Sequence, residues 1–149
     1  MERHRCFRAV LHALSQPGRP QSSPVAAPAT PALVLRAIWE PDQMGESVFV
    51  VRGEPEPGAL ERLPRGHEEE PQLGCTVLLV AAPEGPRTPV WLEGPGLRER
   101  ERALLPLSAS ALASRARACA DPPAGIDLVL VTPDGSILGL PRTTRVSLA

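Results

Sequence analysis

The stretch that decides the fold is Gly125–Val146, GIDLVLVTPDGSILGLPRTTRV. Ile126 to Thr132 is dominated by apolar, often β-branched residues, and Leu128 to Val131 has no polar position at all. A strand with one wet face would alternate, so this run predicts a strand buried on both faces, inside a sheet. Pro133-Asp134-Gly135 follows with turn chemistry: proline presets φ, aspartate caps its own backbone and glycine accepts positive φ. Ile137 to Leu140 is a second apolar run, and the pair reads as a β-hairpin. Pro141 removes a ladder donor and ends that strand or sends it to an edge. Arg142-Thr143-Thr144-Arg145-Val146 is polar, β-prone and cationic, which suits an edge strand.

Cys75 to Ala82 predicts another strand apolar on both faces. Pro83 to Pro86 reads as a turn and Pro89 to Glu93 as its partner strand. Val48 to Val51 predicts a short strand. Residues 3–15 read as an amphipathic helix, with Phe7, Val10, Leu11 and Leu14 at i, i+3, i+4 and i+7 as its buried face. Burial would contribute roughly 1.5–3 kcal/mol for each of the four before entropy is subtracted. Pro17-Gly18 stops this helix. The stretch 17–31, with Pro17, Pro20, Pro24, Pro28 and Pro31, reads as loop or extended polyproline. Thr30 as N-cap and Pro31 at N1 predict a helix over 32–39, ended by Pro41. A short helix is expected over Gly58–Leu63, after Pro57 and before Pro64. A longer helix is expected over Ala109–Ala120, with Ser108 or Ser110 as N-cap and Asp121-Pro122-Pro123 as terminator. Leu97 to Leu105, where arginine and glutamate alternate, reads as a solvated connection. These elements amount to a single α/β domain with a mixed central sheet flanked by helices.

At 149 residues the chain suits one domain and buries enough surface for a core without disulfides. Its formal net charge of −1 excludes a broad electrostatic footprint for nucleic acid. All 16 basic residues are arginine, and tyrosine is absent. Cys6, Cys75 and Cys119 are odd in number and widely spaced, which fits neither a disulfide framework nor a zinc pattern. Cys75 reads as a small buried hydrophobe. No apolar run reaches the ~20 residues of a membrane span, and no secretory h-region follows the charged N-terminus. A cytoplasmic protein with reduced thiols is expected.

Catalytic chemistry is hard to find. His4, His12 and His67 are scattered, and none sits in a nucleophile elbow or a Cys–His signature. His67-Glu68-Glu69-Glu70 reads as a solvated charge run rather than a metal site. Gly94-Pro95-Gly96 reads as a rigid corner; it lacks the spacing and the lysine of a phosphate loop. Asp127, which opens a buried strand, is expected to form an ion pair with Arg142 or Arg145. No catalytic, cofactor-binding or metal-ligating residue is assigned. The candidate partner or anion contacts are Asp127, Arg142, Thr143, Thr144 and Arg145.

Three ordered blocks resemble the PhnH family of bacterial phosphonate utilisation. They are Phe7-Arg8-Ala9-Val10-Leu11 through Pro17-Gly18, Leu73-Gly74-Cys75-Thr76-Val77-Leu78-Leu79 with Leu92-Glu93-Gly94-Pro95-Gly96-Leu97, and Gly125-Ile126-Asp127 through Pro141-Arg142-Thr143-Thr144. The chain departs from the family over 19–62, which is shortened and proline-rich. It also has Pro122-Pro123-Ala124 where the family usually carries aromatic-Pro-Leu. The resemblance implies a non-catalytic subunit of the carbon–phosphorus lyase core complex. That complex forms ribose 1-phosphonate 5-triphosphate from a nucleoside triphosphate and an alkylphosphonate. The implied partners are PhnG, PhnI and PhnJ, with a homodimer, and neither nucleic acid nor membrane. The implied fold is a reduced relative of the pyridoxal-phosphate transferases without the cofactor. The sequence bears on this last point: the internal aldimine needs a lysine amine, and the chain has no lysine. The competing expectation is a stand-alone enzyme or binder using Asp127, Arg142 and Thr143 on an anionic ligand.

Overall fold

The computed structural model describes residues 2–38, 48–71 and 74–149. Among the described residues there are three α-helices: α1 (Glu2–Ser15), α2 (Thr30–Ile38) and α3 (Ala109–Ala118). The strands are β1 (Val48–Arg52), β2 (Thr76–Val80), β3 (Thr88–Glu93), β4 (Glu101–Leu105), β5 (Asp127–Val131), β6 (Ile137–Leu140) and β7 (Arg145–Leu148). Trp39, the expected last residue of the second helix, and Leu73 lie outside the described residues.

Two sheets divide the strands. The larger has the order β1-β2-β5-β6. Here β1, β2 and β5 run parallel, and β6 returns antiparallel to β5. The smaller is antiparallel with the order β4-β3-β7. The hairpin around Pro133-Asp134-Gly135 forms as expected, with β5 inside its sheet. Its turn is closed by the Gly135 N–H, which donates to Thr132 O at 2.9 Å, and the Ser136 N–H, which donates to Asp134 Oδ1 at 2.9 Å.

The continuous apolar runs are what a doubly covered sheet requires, because side chains alternate between faces with period two. Val77, Leu79, Leu128, Leu130, Leu138 and Leu140 face one core, which α3 and the smaller sheet cover with Leu112, Val90, Leu92 and Leu105. Leu78, Val129, Val131 and Ile137 face the other core, closed by Cys6, Val10 and Ala13 of α1 and Leu33, Val34 and Ala37 of α2. The free edge of β6 is blunted by Gln21, which exchanges backbone hydrogen bonds with Ile137 at 2.8 and 2.9 Å.

Six expectations about the elements are corrected. β3 is not the partner of β2. Both edges of β2 are occupied by β1 and β5, so β3 founds the second sheet. Leu97–Leu105 is not all connection: its second half is β4, whose Ala103 and Leu105 turn inward while Arg102 and Leu104 face out. The buried face of α1 is Cys6–Val10–Ala13, leaving Phe7 42% and Leu11 50% exposed. The cause is a close approach of helix to sheet: a Cβ built on Gly139 would lie 2.3 Å from Ala13 O. Only small side chains fit between backbones that near. Thr30 lies within α2, and its hydroxyl donates to Ser23 Oγ at 2.8 Å instead of capping the helix. Within the proline-rich loop, Ala27–Ala29 forms one 3₁₀ turn, and the helix expected over Gly58–Leu63 is likewise only a 3₁₀ turn, Leu60–Arg62.

Ser108 is the N-cap of α3, its hydroxyl accepting from Ala111 N–H at 3.0 Å. Among the described residues, no helix is long and apolar enough to cross a membrane.

Candidate functional site

The C-terminal turn joins the two sheets, and a groove of about 930 Å³ opens beside it. Arg142 to Thr144 do not belong to the expected edge strand: they lie in a turn, Pro141–Thr144, closed by the Thr144 N–H donating to Pro141 O at 3.0 Å, and the strand itself is β7. The turn carries the chain from β6, in one sheet, to β7, in the other. One wall of the groove is α3, and Gly94-Pro95 and Pro122-Pro123 form much of the rest. The lining is predominantly apolar, with a few polar groups held at fixed positions, the usual make-up of a ligand cleft.

Asp127 and Arg142 meet at the base of this turn. Arg142 N–H donates to Asp127 Oδ1 at 2.7 Å, its Nε–H to the same oxygen at 3.3 Å, and one Nη to Oδ2 at 3.1 Å. The other Nη donates to Pro71 O at 2.9 Å. The two side chains are 18% and 27% exposed, so the pair is well shielded without being sealed. Gly74 makes room for it: a Cβ there would lie 2.7 Å from Arg142 Nη1 and 2.5 Å from Gly125 O. Arg145 points the other way, into an exposed ion pair with Glu93 at 3.2 Å. Thr143 is exposed at the tip of the turn, while Thr144 is buried. All four residues of Arg142–Arg145 line the groove, and Asp127 lies beneath, holding Arg142.

The residue that sequence reasoning missed is Arg115. It is 3% exposed and lines the groove from α3. One Nη donates to Thr144 O at 2.8 Å and the other to Pro141 O at 2.7 Å, so its fork holds the turn. Its Nε and the Thr144 hydroxyl are buried with no hydrogen-bond partner. Burial pushes the Arg115 pKa down, but a guanidinium remains charged in a protein. A signal for it did exist: Arg115 falls in the stripe Ala111, Leu112, Ala118 at helical spacing, a cation on an otherwise apolar face.

Cys119 borders the same groove, and its thiol lies 3.6 Å from Ile126 O. Cys75 is fully buried below, where loss of solvation pushes its thiol up to about 11. In the His67–Glu70 loop the two end residues exchange backbone hydrogen bonds at 3.1 and 3.4 Å, and their side chains make an exposed contact at 3.3 Å. Among the described residues, no group of three or more His, Cys, Asp or Glu is placed to hold a metal ion. The pyridoxal group suggested by the fold resemblance finds no lysine to receive it anywhere in the chain.

A family model described as bacterial phosphonate metabolism protein (PhnH) matches residues 35–147, which takes in β1 through β6, all of β7 but Leu148, and every residue that lines the groove. The chain belongs to the PhnH family. Its role therefore lies in bacterial phosphonate metabolism. No match is found among curated proteins.

Proposed function

We propose that this PhnH-family chain is a non-catalytic subunit of the carbon–phosphorus lyase core complex, one that supports formation of ribose 1-phosphonate 5-triphosphate by its partner subunits PhnG, PhnI and PhnJ. The family membership is the observation that carries this reading. The geometry of β7 supports it. Ala149 N–H donates to Pro89 O, so by antiparallel alternation the bonded pairs continue at Trp91–Ser147 and Glu93–Arg145. The main-chain groups of Val146 and Leu148 then face away from β3, along the outer edge of the sheet. An open edge of this kind accepts a strand from a partner. Arg145, exposed and held by Glu93, supplies a planar cation beside that edge.

The test is co-expression with the other core subunits, followed by capture on a tag carried by this chain. Recovery of the core subunits is the expected result. Arg145→Ala, with folding verified, should weaken capture, whereas Arg142→Ala should act mainly through fold stability. Failure of the wild-type chain to retain any core subunit would overturn the proposal.

A further inference from the structure

The groove holds one buried cation that makes no ion pair among the described residues. Arg142 is neutralised by Asp127, and Arg145 by Glu93. Arg115 forms no ion pair among the described residues; two main-chain carbonyls and the C-terminal end of α3 offer it only partial negative charge. Folds place buried charges against partners because an unpaired one is expensive to desolvate. Arg115 and Thr144, residues only 3% and 2% exposed, both line the groove, and Nε of the one and the hydroxyl of the other are buried behind its surface with no hydrogen-bond partner. Holding the 141–144 turn accounts for the two Nη groups of Arg115. It does not account for Nε or for the net charge.

We infer that the groove binds an oxyanion carried on an apolar body, with the guanidinium of Arg115 and the hydroxyl of Thr144 as the anion-recognising groups. Arginine and a hydroxyl are donors suited to carboxylate, phosphonate or phosphate oxygens. Pro95, Pro122, Pro123 and Val146 supply apolar walls for the remainder of the ligand. The groove lies at the N-terminal ends of the parallel strands, where Asp127 opens β5. Open α/β sheets commonly bind ligands at the opposite end, so the inference rests on the uncompensated guanidinium and not on topology. It is independent of assembly into a larger complex: the isolated chain contains the whole groove.

The experiment is calorimetric titration of the isolated chain with phenylphosphonate and with benzoate. Benzyl alcohol serves as the neutral control and inorganic phosphate as the anion without an apolar body. Binding of both aryl anions, with benzyl alcohol and phosphate each weaker, is expected. Arg115→Met should weaken binding at least about tenfold, and Thr144→Val, which keeps the shape and loses the hydroxyl, several-fold. Should Arg115→Met fail to fold, the wild-type chain still decides the matter through Cys119. Phenylphosphonate should slow alkylation of Cys119, while Cys6 and Cys75 stay protected by burial with or without ligand. The same anion can be a free molecule or an acidic side chain of a partner. In the assembled complex, Cys119 protected without added ligand identifies the partner as the source, and protection only on adding phenylphosphonate identifies a free ligand. Aryl-anion affinity equal to that of benzyl alcohol, or unchanged in Thr144→Val together with unprotected Cys119, would overturn the inference.

Discussion

Asp127 is held by three donors from a single residue, the backbone and side chain of Arg142. It therefore fixes where β6 ends and where the 141–144 turn begins. Asp127→Asn keeps the shape and the backbone hydrogen bond but leaves the Arg142 guanidinium shielded and unpaired. A sealed pair broken this way costs several kcal/mol; partial exposure of this one lowers the expected loss to about 1–3 kcal/mol, read as a shift of the urea midpoint. An unshifted midpoint would show that Arg142 is held by Pro71 O alone. This pairing was legible because an acid opening a buried strand needs a cation, and two arginines follow the return strand. Arg115 was less legible, since an arginine in an alanine-rich helix reads as a solvated face until the helix is seen to pack. Phe7 and Leu11 misled for a related reason. Hydrophobicity favours the largest side chains for burial, whereas the contact of α1 with Gly139 selects the smallest.

At the scale of elements, the hairpin β5–β6 was readable because its signals are local: an apolar run, a Pro-Asp-Gly turn and a second run. The partner of β3 was not, because pairing between distant strands depends on which edges remain free once the parallel β1-β2-β5 core has formed. β4 was hidden by its charges, which an edge strand tolerates on its outer face. The open edge of β7 gives a direct test of strand addition. Val146→Pro removes an N–H that faces outward, so the ladder to β3 should survive and the melting temperature should fall by only a few degrees. Ser147→Pro removes an N–H bonded to Trp91 O and should destabilise the sheet by about 3 kcal/mol or more, taking the interior-proline penalty as a guide. If β7 receives a partner strand, Val146→Pro abolishes capture of the core subunits while the isolated chain stays folded. Full capture by folded Val146→Pro would exclude pairing along β7 and move the interface elsewhere.

The larger sheet has a core on each face, one of them closed by the smaller sheet, and the composition of the whole molecule gives it an unusual alkaline behaviour. Lysine and tyrosine, which titrate near pH 10 in most proteins, are both absent. Arginine stays charged, so between pH 9 and 11 the only side chains left to ionise are cysteines. Cys75 sits in the larger core at the start of β2, where burial raises its thiol from 9.0 to about 11, and burial raises Cys6 as well. Below pH 9 the thiol is protonated in folded and unfolded chains alike, and stability is fully retained. Between pH 9 and 11 the unfolded chain releases its proton first, so rising pH favours unfolding; above about 11 both forms are ionised and the decline stops. The loss due to Cys75 across that window is roughly 2 kcal/mol. Urea midpoints at pH 8, 9.5 and 11 under reducing conditions should fall steadily for the wild-type chain. Cys75→Ala leaves a small cavity and starts less stable, but its midpoint should fall by a smaller amount over the same range, the remainder coming from Cys6. Parallel declines in the two proteins would mean that the Cys75 thiolate is tolerated within the fold, and that the core around β2 admits water on ionisation.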